Sequence, residues 1–332
     1  MKALVLRQLK TPLELAELPA PNPADGEVVV RLKAAALNRR DFWIAQGLYP
    51  GIRLPVILGS DGAGIVSRIG NSVPHHWSNQ DVIINPGLHW GEDQRMQGPD
   101  FHILGMPQAG TFADEVGVPA TSLHPKPEHL DWHEAAALPL SGVTAYRALF
   151  TQGAVAHGEN VLVSGIGGGV ATYVLLFAKA AGAKVFVTSS SPDKLRQAIE
   201  LGAVAGYDYR REGWAKQLRS DHGAVDLIID SAGGPGYASL VDVASPGGRI
   251  VNYGATAGPA AEFDLLKVFW KQLRITGSTM GSPNDFQRML DLVNQHKIRP
   301  VIDQVLPLKE GNEALARLRA SEQFGNIVLQ AG

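Results

Sequence analysis

Val161-Leu162-Val163-Ser164-Gly165-Ile166-Gly167-Gly168-Gly169-Val170-Ala171 reads as a buried strand that ends in glycine, turns through glycines and opens a helix. With no Cβ atoms in the way, backbone N–H groups and the positive end of the helix can close on a pyrophosphate. The G-x-G-x-x-G spacing is met at Gly165 and Gly167, whereas Val170 takes the third glycine position. Taken alone, such a turn is also an ordinary strand–helix loop. Its setting decides for a dinucleotide cradle made of Gly165, Gly167, Gly168, Gly169 and Val170.

That setting is an alternation of elements on both sides of the turn. Apolar runs at 161–164, 184–188, 206–209, 225–230, 249–253 and 274–277 read as strands. Helical patterns at 169–181, 193–201, 213–220, 236–244 and 265–271 separate them. The alternation predicts a doubly wound, mostly parallel α/β sheet. Upstream, strands at 2–6, 27–36, 62–69 and 81–84 lie between Gly- and Pro-rich turns such as 19–26, the pattern of a β-barrel or sandwich. The pattern changes near 125, with helices expected at 133–138 and 144–151. The tail carries helices at 283–296 and 310–322, an unassigned segment through 301–307 between them, and a last strand at 327–330. Pattern alone leaves open whether the tail rejoins the first domain.

The 332 residues suit two domains at about 100–200 residues each. Apolar residues make up 45% and charged residues 19%, which excludes a disordered chain and a coiled coil. A net charge of -2 offers no electrostatic ground for nucleic-acid or acidic-membrane partners. No apolar stretch approaches the roughly 18 residues of a membrane span. The early Arg7 in a short apolar start does not make a signal peptide, so a cytoplasmic protein is expected. Cysteine is absent; disulfides, thiolate zinc sites, iron–sulfur clusters and a cysteine nucleophile are therefore excluded.

The end of the second strand of such a unit selects between dinucleotides, because an acid there accepts from the ribose 2′-hydroxyl. Here the strand runs into Ser189-Ser190-Ser191-Pro192-Asp193-Lys194. Three hydroxyls and Lys194 suit a 2′-phosphate, which a carboxylate would repel. Asp193 is expected to cap the next helix. Tyr209 and Arg210, after the third strand, can reach the same phosphate, although Arg210 also suits a solvated surface. NADPH is expected, with NADH possible.

Further segments carry a resemblance that spans essentially the whole chain. They are Ala36-Leu37-Asn38-Arg39-Arg40-Asp41, Gln46-Gly47-Leu48-Tyr49-Pro50, Pro55-Val56-Ile57-Leu58-Gly59-Ser60-Asp61-Gly62-Ala63-Gly64, Ala109-Gly110-Thr111-Phe112-Ala113-Asp114-Glu115, Gly142-Val143-Thr144-Ala145-Tyr146 and Phe324-Gly325-Asn326-Ile327-Val328-Leu329. With the glycine turn, and in this order, they resemble the medium-chain dehydrogenase/reductase superfamily, on its zinc-free branch of quinone oxidoreductases and enoyl reductases. The resemblance implies a GroES-like β-barrel catalytic domain (1–125 and 280–332) around a Rossmann domain (126–279), with the active site in the cleft separating them.

It also implies where a zinc-dependent relative keeps its ligands: at Asn38, at Ser60 and near Ser141. An amide and hydroxyls are poor Zn²⁺ ligands beside thiolate and imidazole, so no catalytic zinc is expected. The structural-zinc lobe of that branch maps to 85–105, where His89, Glu92, Asp93, Asp100 and His102 can offer nitrogen and oxygen ligands or form a solvated loop. His75-His76 is equally bland.

Without a Lewis acid, hydride transfer to a quinone or an enone is easier than alcohol oxidation, and the developing oxyanion needs a donor and a proton. By resemblance Tyr49 is the proton donor, although an aromatic before Pro50 also packs a loop. Asn38 can donate to the substrate oxygen or position the nicotinamide. Asp41 and Asp61 are expected to order the cleft through hydrogen bonds. Thr144, Gly254, Thr279 and Met280 match positions at the nicotinamide end, and Asn326 stands where the family often has a Lys near the 2′-phosphate. Phe42, Trp43, Tyr49 and Trp90 suit a flat or extended apolar substrate, although Trp43 on an amphipathic helix equally suits the core. The alternatives are a 2-enoyl thioester reductase, for which Arg39, Arg40 and Arg53 offer charge, and a nucleotide-binding redox sensor with little catalysis. The strand at 274–277 is expected at a sheet edge that pairs in a homodimer.

Overall fold

In the computed structural model, described for residues 1–260 and 262–331, the chain divides into two units, Met1–Ser141 with Ser282–Gly332, and Gly142–Gly281. The composition changes near 125, yet the first unit continues to Ser141. The reason is the helix Trp132–Ala137, whose Ala135, Ala136 and Ala137 are buried and which packs on the strands Glu27–Ala36, Asp61–Ile69 and Asn326–Gln330. The tail thus belongs to the first unit.

That unit is built around Glu27–Ala36. This ten-residue strand pairs antiparallel with Asp61–Ile69 along its length, with Glu115–Pro119 over its first half and with Asn326–Gln330 at its end. Asp81–Ile84, Leu123–Pro125 and Ile302–Pro307 complete a seven-stranded sheet, and Lys2–Leu6 centres a three-stranded one. Val28, Val30 and Leu32 face one core with Val66, Val82 and Val116, while Ala35 and Leu37 face another with Leu4, Phe112 and Leu329. The change of face coincides with the register shift between Leu32 and Ala34, because side chains alternate with period two and an irregularity resets the alternation. Each fully buried aliphatic side chain contributes about 1.5–3 kcal/mol, so this register is strongly specified.

The second unit holds six parallel strands in the order Ala205–Tyr207, Lys184–Thr188, Asn160–Val163, Val225–Asp230, Ala244–Asn252, Arg274–Gly277. The order runs outward in both directions from Asn160–Val163, and that reversal opens a crevice at the strand C-termini. Val161, Leu162 and Val163 are fully buried, as a strand covered on both faces requires. The helix Gly169–Ala180 follows the glycine turn, and Pro192–Leu201, Trp214–His222, Tyr237–Val243 and Leu265–Trp270 follow later strands. The helix expected at 144–151 is longer: an α-helix, Pro139–Tyr146, runs into a π-helical stretch, Arg147–Gln152. Among the described residues no helix is long and apolar enough to cross a membrane.

Candidate active site

The candidate residues fall into two sets, one in each unit. In the first unit, strand register assembles the set. Ala36 pairs with both Asp61 and Val328, so the chain leaving Glu27–Ala36 places Asn38 beside Asp61. The Leu37 N–H donates to the Ile327 carbonyl at 2.9 Å, which holds the tail and its Asn326 alongside. Asn38 precedes the helix Arg39–Ala45, and the Asp41 carboxylate accepts the Asn38 N–H at 2.8 Å and the Gly59 N–H at 3.2 Å.

The Asn38 side chain is oriented from two sides. Its Nδ2 donates to Asp61 Oδ2 at 2.8 Å, and its Oδ1 lies 3.4 Å from Ser141 Oγ. Ser141 Oγ is also 3.3 Å from Asn326 Oδ1, and the Leu140 N–H donates to Asp61 Oδ1 at 2.8 Å. All of these side chains are buried. Burial pushes the Asp61 carboxyl up to about 7, against the lowering effect of the bonds from Asn38 and Leu140. Burial raises Asp41 as well, against the nearby Arg40 charge. Both acids thus order the site through hydrogen bonds.

Ser60 turns elsewhere. Arg40 Nη1 donates to Ser60 Oγ at 2.7 Å and to the Leu104 carbonyl at 2.9 Å, and Ser60 Oγ lies 2.8 Å from the same carbonyl. Gly59, before it, has φ +93, and a Cβ there would fall 2.4 Å from the Phe112 ring; only glycine delivers Ser60 to this place. The Arg40 guanidinium lies 5.1 Å from the centre of the Tyr49 ring, within cation–π range. Tyr49 is half-buried, packed with Phe42 against the core of Leu6, Ile44 and Phe112. Trp90 instead makes an edge contact with Phe101 and donates to the Asp93 carbonyl at 3.0 Å. It closes the 85–105 segment on itself, where the His89 ring lies tilted against His102 and Arg95 pairs with Asp93. Among the described residues no group of three or more His, Asp or Glu is placed to hold a metal ion.

In the second unit the glycine turn has the conformation its composition demands: Gly165 has φ +68 and Gly167 φ +144, values that L side chains rarely adopt. Nothing stands within 4 Å of where Cβ atoms on Gly165 and Gly168 would be. Gly168 caps the helix Gly169–Ala180 without a side-chain hydrogen bond, so no capping side chain covers the first N–H groups of this helix. A Cβ on Gly167 would fall 3.0 Å from Lys194 Nζ, so this cation lies against the cradle. Val170 is half-buried beside it.

The three serines differ. Ser189 is buried, and its Oγ accepts the Ser191 N–H at 3.1 Å. Ser191, not Asp193, caps the helix Pro192–Leu201: its Oγ accepts from the Lys194 N–H, and Pro192 stands at the first helical position. Proline fits there because its fixed φ suits the first turn and its missing N–H is not needed; Asp193 falls one step inside. Ser190 offers its carbonyl to Arg210 Nη2, and Arg210 also pairs with Asp208. Tyr209 between them is exposed. Thr144 is buried with Oγ1 4.0 Å from Met280 Sδ, next to the exposed Thr279. A Cβ on Gly254 would fall 2.9 Å from the Ser231 carbonyl. Asn326 belongs to the other set, bonded through Ser141 to the Asn38 cluster.

Sequence reasoning missed Asp230. This buried acid ends Val225–Asp230 and accepts from Ser164 Oγ, from Asn252 Nδ2 at 3.0 Å and from the Gly233 N–H at 2.9 Å. It ties together the C-terminal ends of three strands next to the glycine turn. An acid closing the run Val225-Asp226-Leu227-Ile228-Ile229-Asp230 was the available signal.

Comparison with known proteins agrees with this architecture. Residues 24–128 match the alcohol dehydrogenase GroES-like domain, and residues 169–295 match the zinc-binding dehydrogenase family. The chain is 36% identical to a zinc-type alcohol dehydrogenase-like protein YogA from Leptosphaeria maculans, over 97% of this chain and 96% of that protein. It is 30% identical to a quinone oxidoreductase from Pseudomonas aeruginosa, over 96% and 95%. A solved NAD-dependent alcohol dehydrogenase superposes over all of both chains with a TM-score of 0.95 at 39% identity. The chain belongs to the medium-chain dehydrogenase/reductase family of pyridine-nucleotide-dependent oxidoreductases.

Proposed function

We propose that the chain is a zinc-independent reductase that uses NADPH to reduce quinones or α,β-unsaturated carbonyl compounds. The observation that carries this reading is the state of Asn38, Ser60 and Ser141. They offer an amide and two hydroxyls, already engaged with Asp61, Arg40, the Leu104 carbonyl and Asn326. That donor set does not fit Zn²⁺, and no step of the proposed reaction runs through a metal.

The glycine cradle fits a pyrophosphate, since Cβ positions on Gly165 and Gly168 face open space and Lys194 lies against Gly167. When bound, the dihydronicotinamide supplies hydride. Ser190, Lys194 and Arg210, with no carboxylate ending the strand Lys184–Thr188, support 2′-phosphate over ribose recognition. Thr144, Gly254 and Thr279 hold the nicotinamide end. On the substrate side, Asn38 keeps its second Nδ2 hydrogen for the substrate or the nicotinamide. The Tyr49 hydroxyl supplies the proton that completes reduction and regains one from water.

Anaerobic NADPH oxidation across quinones, enones, enoyl thioesters and, in reverse, simple alcohols tests the reading. Turnover of quinones or enones that survives chelator treatment is expected, and Tyr49→Phe lowers kcat. Chelator-sensitive alcohol oxidation as the principal activity overturns it. We place the active protein in a homodimer. The supporting observation is the edge strand Arg274–Gly277 beside a helix, Leu265–Trp270, none of whose residues is buried.

A further inference from the structure

Arg40 is bound at one end and unsatisfied at the other. The residue is 8% exposed. Its Nη1 makes both of its hydrogen bonds, to Ser60 and Leu104, while Nε is buried with no partner. Among the described residues Nη2 makes no hydrogen bond either, yet unlike Nε it keeps accessible surface. Burying an ionised side chain is costly, and leaving a buried donor without a hydrogen bond adds to that cost. Pinning Ser60 to the Leu104 carbonyl does not require a guanidinium, since one neutral donor suffices. Asp41 and Asp61 are near enough to interact with its charge, but neither forms an ion pair with it. The result is a rigid cation whose one accessible donor has no protein partner, laid over the face of Tyr49. The Tyr49 hydroxyl likewise makes no hydrogen bond among the described residues.

We propose that Arg40, through Nη2, is a catalytic residue that holds the carbonyl oxygen of the acceptor and stabilises the negative charge that develops there. This rests on the reductase reading above and narrows it to acceptors whose reduced carbon is conjugated to a carbonyl. The two electrons arrive as hydride at the conjugated carbon. The C=C pair shifts toward the carbonyl, and the C=O pair settles on oxygen as an enolate, which for a quinone is the keto tautomer of the hydroquinone anion. Arg40 keeps all its protons and only hydrogen-bonds that oxygen. Tyr49 gives one proton, to the α-carbon of an enone-derived enolate or to the enolate oxygen of a quinone-derived one, and water restores it. The quinone-derived product then becomes the hydroquinone as its ring C–H proton passes through water to the remaining carbonyl oxygen. A preorganised donor of this kind, fixed before charge develops, is worth about 100-fold or more in rate.

The test compares Arg40→Gln, Arg40→Lys and Arg40→Ala with the wild type. It reads kcat and KM for a quinone and an enone, NADPH affinity by fluorescence, and thermal melting. Arg40→Gln should lower kcat about 100-fold while NADPH affinity stays within about twofold of wild type. Arg40→Lys, which keeps the charge without the fork, should fall between them. In Arg40→Ala, added guanidinium ion at millimolar concentration should restore turnover saturably, a response that a merely structural role would not produce. Unchanged kcat in Arg40→Gln overturns this proposal alone. So does a loss that follows melting temperature across the three variants without guanidinium rescue. If the wild type reduces no acceptor, the reductase reading fails and this proposal falls with it.

Discussion

Lys194 and Asp61 show how one side chain decides a measurable property. Lys194 lies against Gly167 with its ammonium 3.0 Å from a Cβ built there, and the reading proposed above assigns it to the 2′-phosphate that NADPH has and NADH lacks. Losing a charge-assisted hydrogen bond costs about 1.5–3 kcal/mol, or roughly 10–100-fold in affinity. Lys194→Ala should therefore raise KM for NADPH by about that factor and change KM for NADH much less, as steady-state kinetics with both cofactors would record. Equal losses for both would separate Lys194 from the 2′-phosphate. Asp61 carries a pH signature. Its carboxyl is raised from 3.8 to about 7 in the folded chain, so the folded state keeps a proton that the unfolded chain releases. Its contribution is most favourable below 3.8 and declines as pH rises toward about 7. In Asp61→Asn, melting temperature should fall less between those two pH values than in the wild type. The same variant offers one carbonyl oxygen where Asp61 uses two, to Asn38 Nδ2 and the Leu140 N–H, so one of these donors loses its acceptor and kcat should fall as well.

At the scale of elements, the ends of strands matter more than their middles. Asp230 holds Ser164, Asn252 and the 231–233 turn together, and Tyr237 Oη donates to Asn252 Oδ1 at 2.7 Å behind it. Asp230→Ala leaves several buried donors without partners and should cost about 2–4 kcal/mol, read as a lower melting temperature together with weaker NADPH binding. The strands themselves were legible because the signals were local: buried apolar runs, glycines at positive φ, and periodicity between them. Caps were less so. Ser191 and Asp193 are both good N-caps, and Pro192 at the first helical position is what selects Ser191. Asn326 was harder still. Its place beside Ser141 depends on the pairing of Val328 with Ala36, a long-range register that no local pattern encodes. Arg40 stood out only as charge, because its lopsided hydrogen bonding depends on where Ser60 and Leu104 are brought.

For the whole molecule, the exposed surface is as informative as the core. Leu265, Leu266, Phe269 and Trp270 are all exposed on one short helix, Trp270 at 72%, next to the edge strand Arg274–Gly277. Contiguous apolar surface of this kind marks an interface, and an open edge invites pairing. Trp270→Glu with Phe269→Glu should convert the dimer proposed above to a monomer in sedimentation analysis; a wild type that is monomeric at micromolar concentration would remove the idea.

The pairing of Asn326–Gln330 with Glu27–Ala36 also sets an order of events during synthesis. Gly142–Gly281 is one uninterrupted length of chain and contains every strand of its own sheet, so it can close while the ribosome is still at work. The other unit cannot. Its central strand waits some three hundred residues for its last neighbour, leaving an apolar edge open in the meantime. A chain halted after Phe324 should therefore yield a protease-resistant fragment near 142–281, while 1–141 is digested. The contact that completes the Asn38 cluster is also the one that ends this exposure.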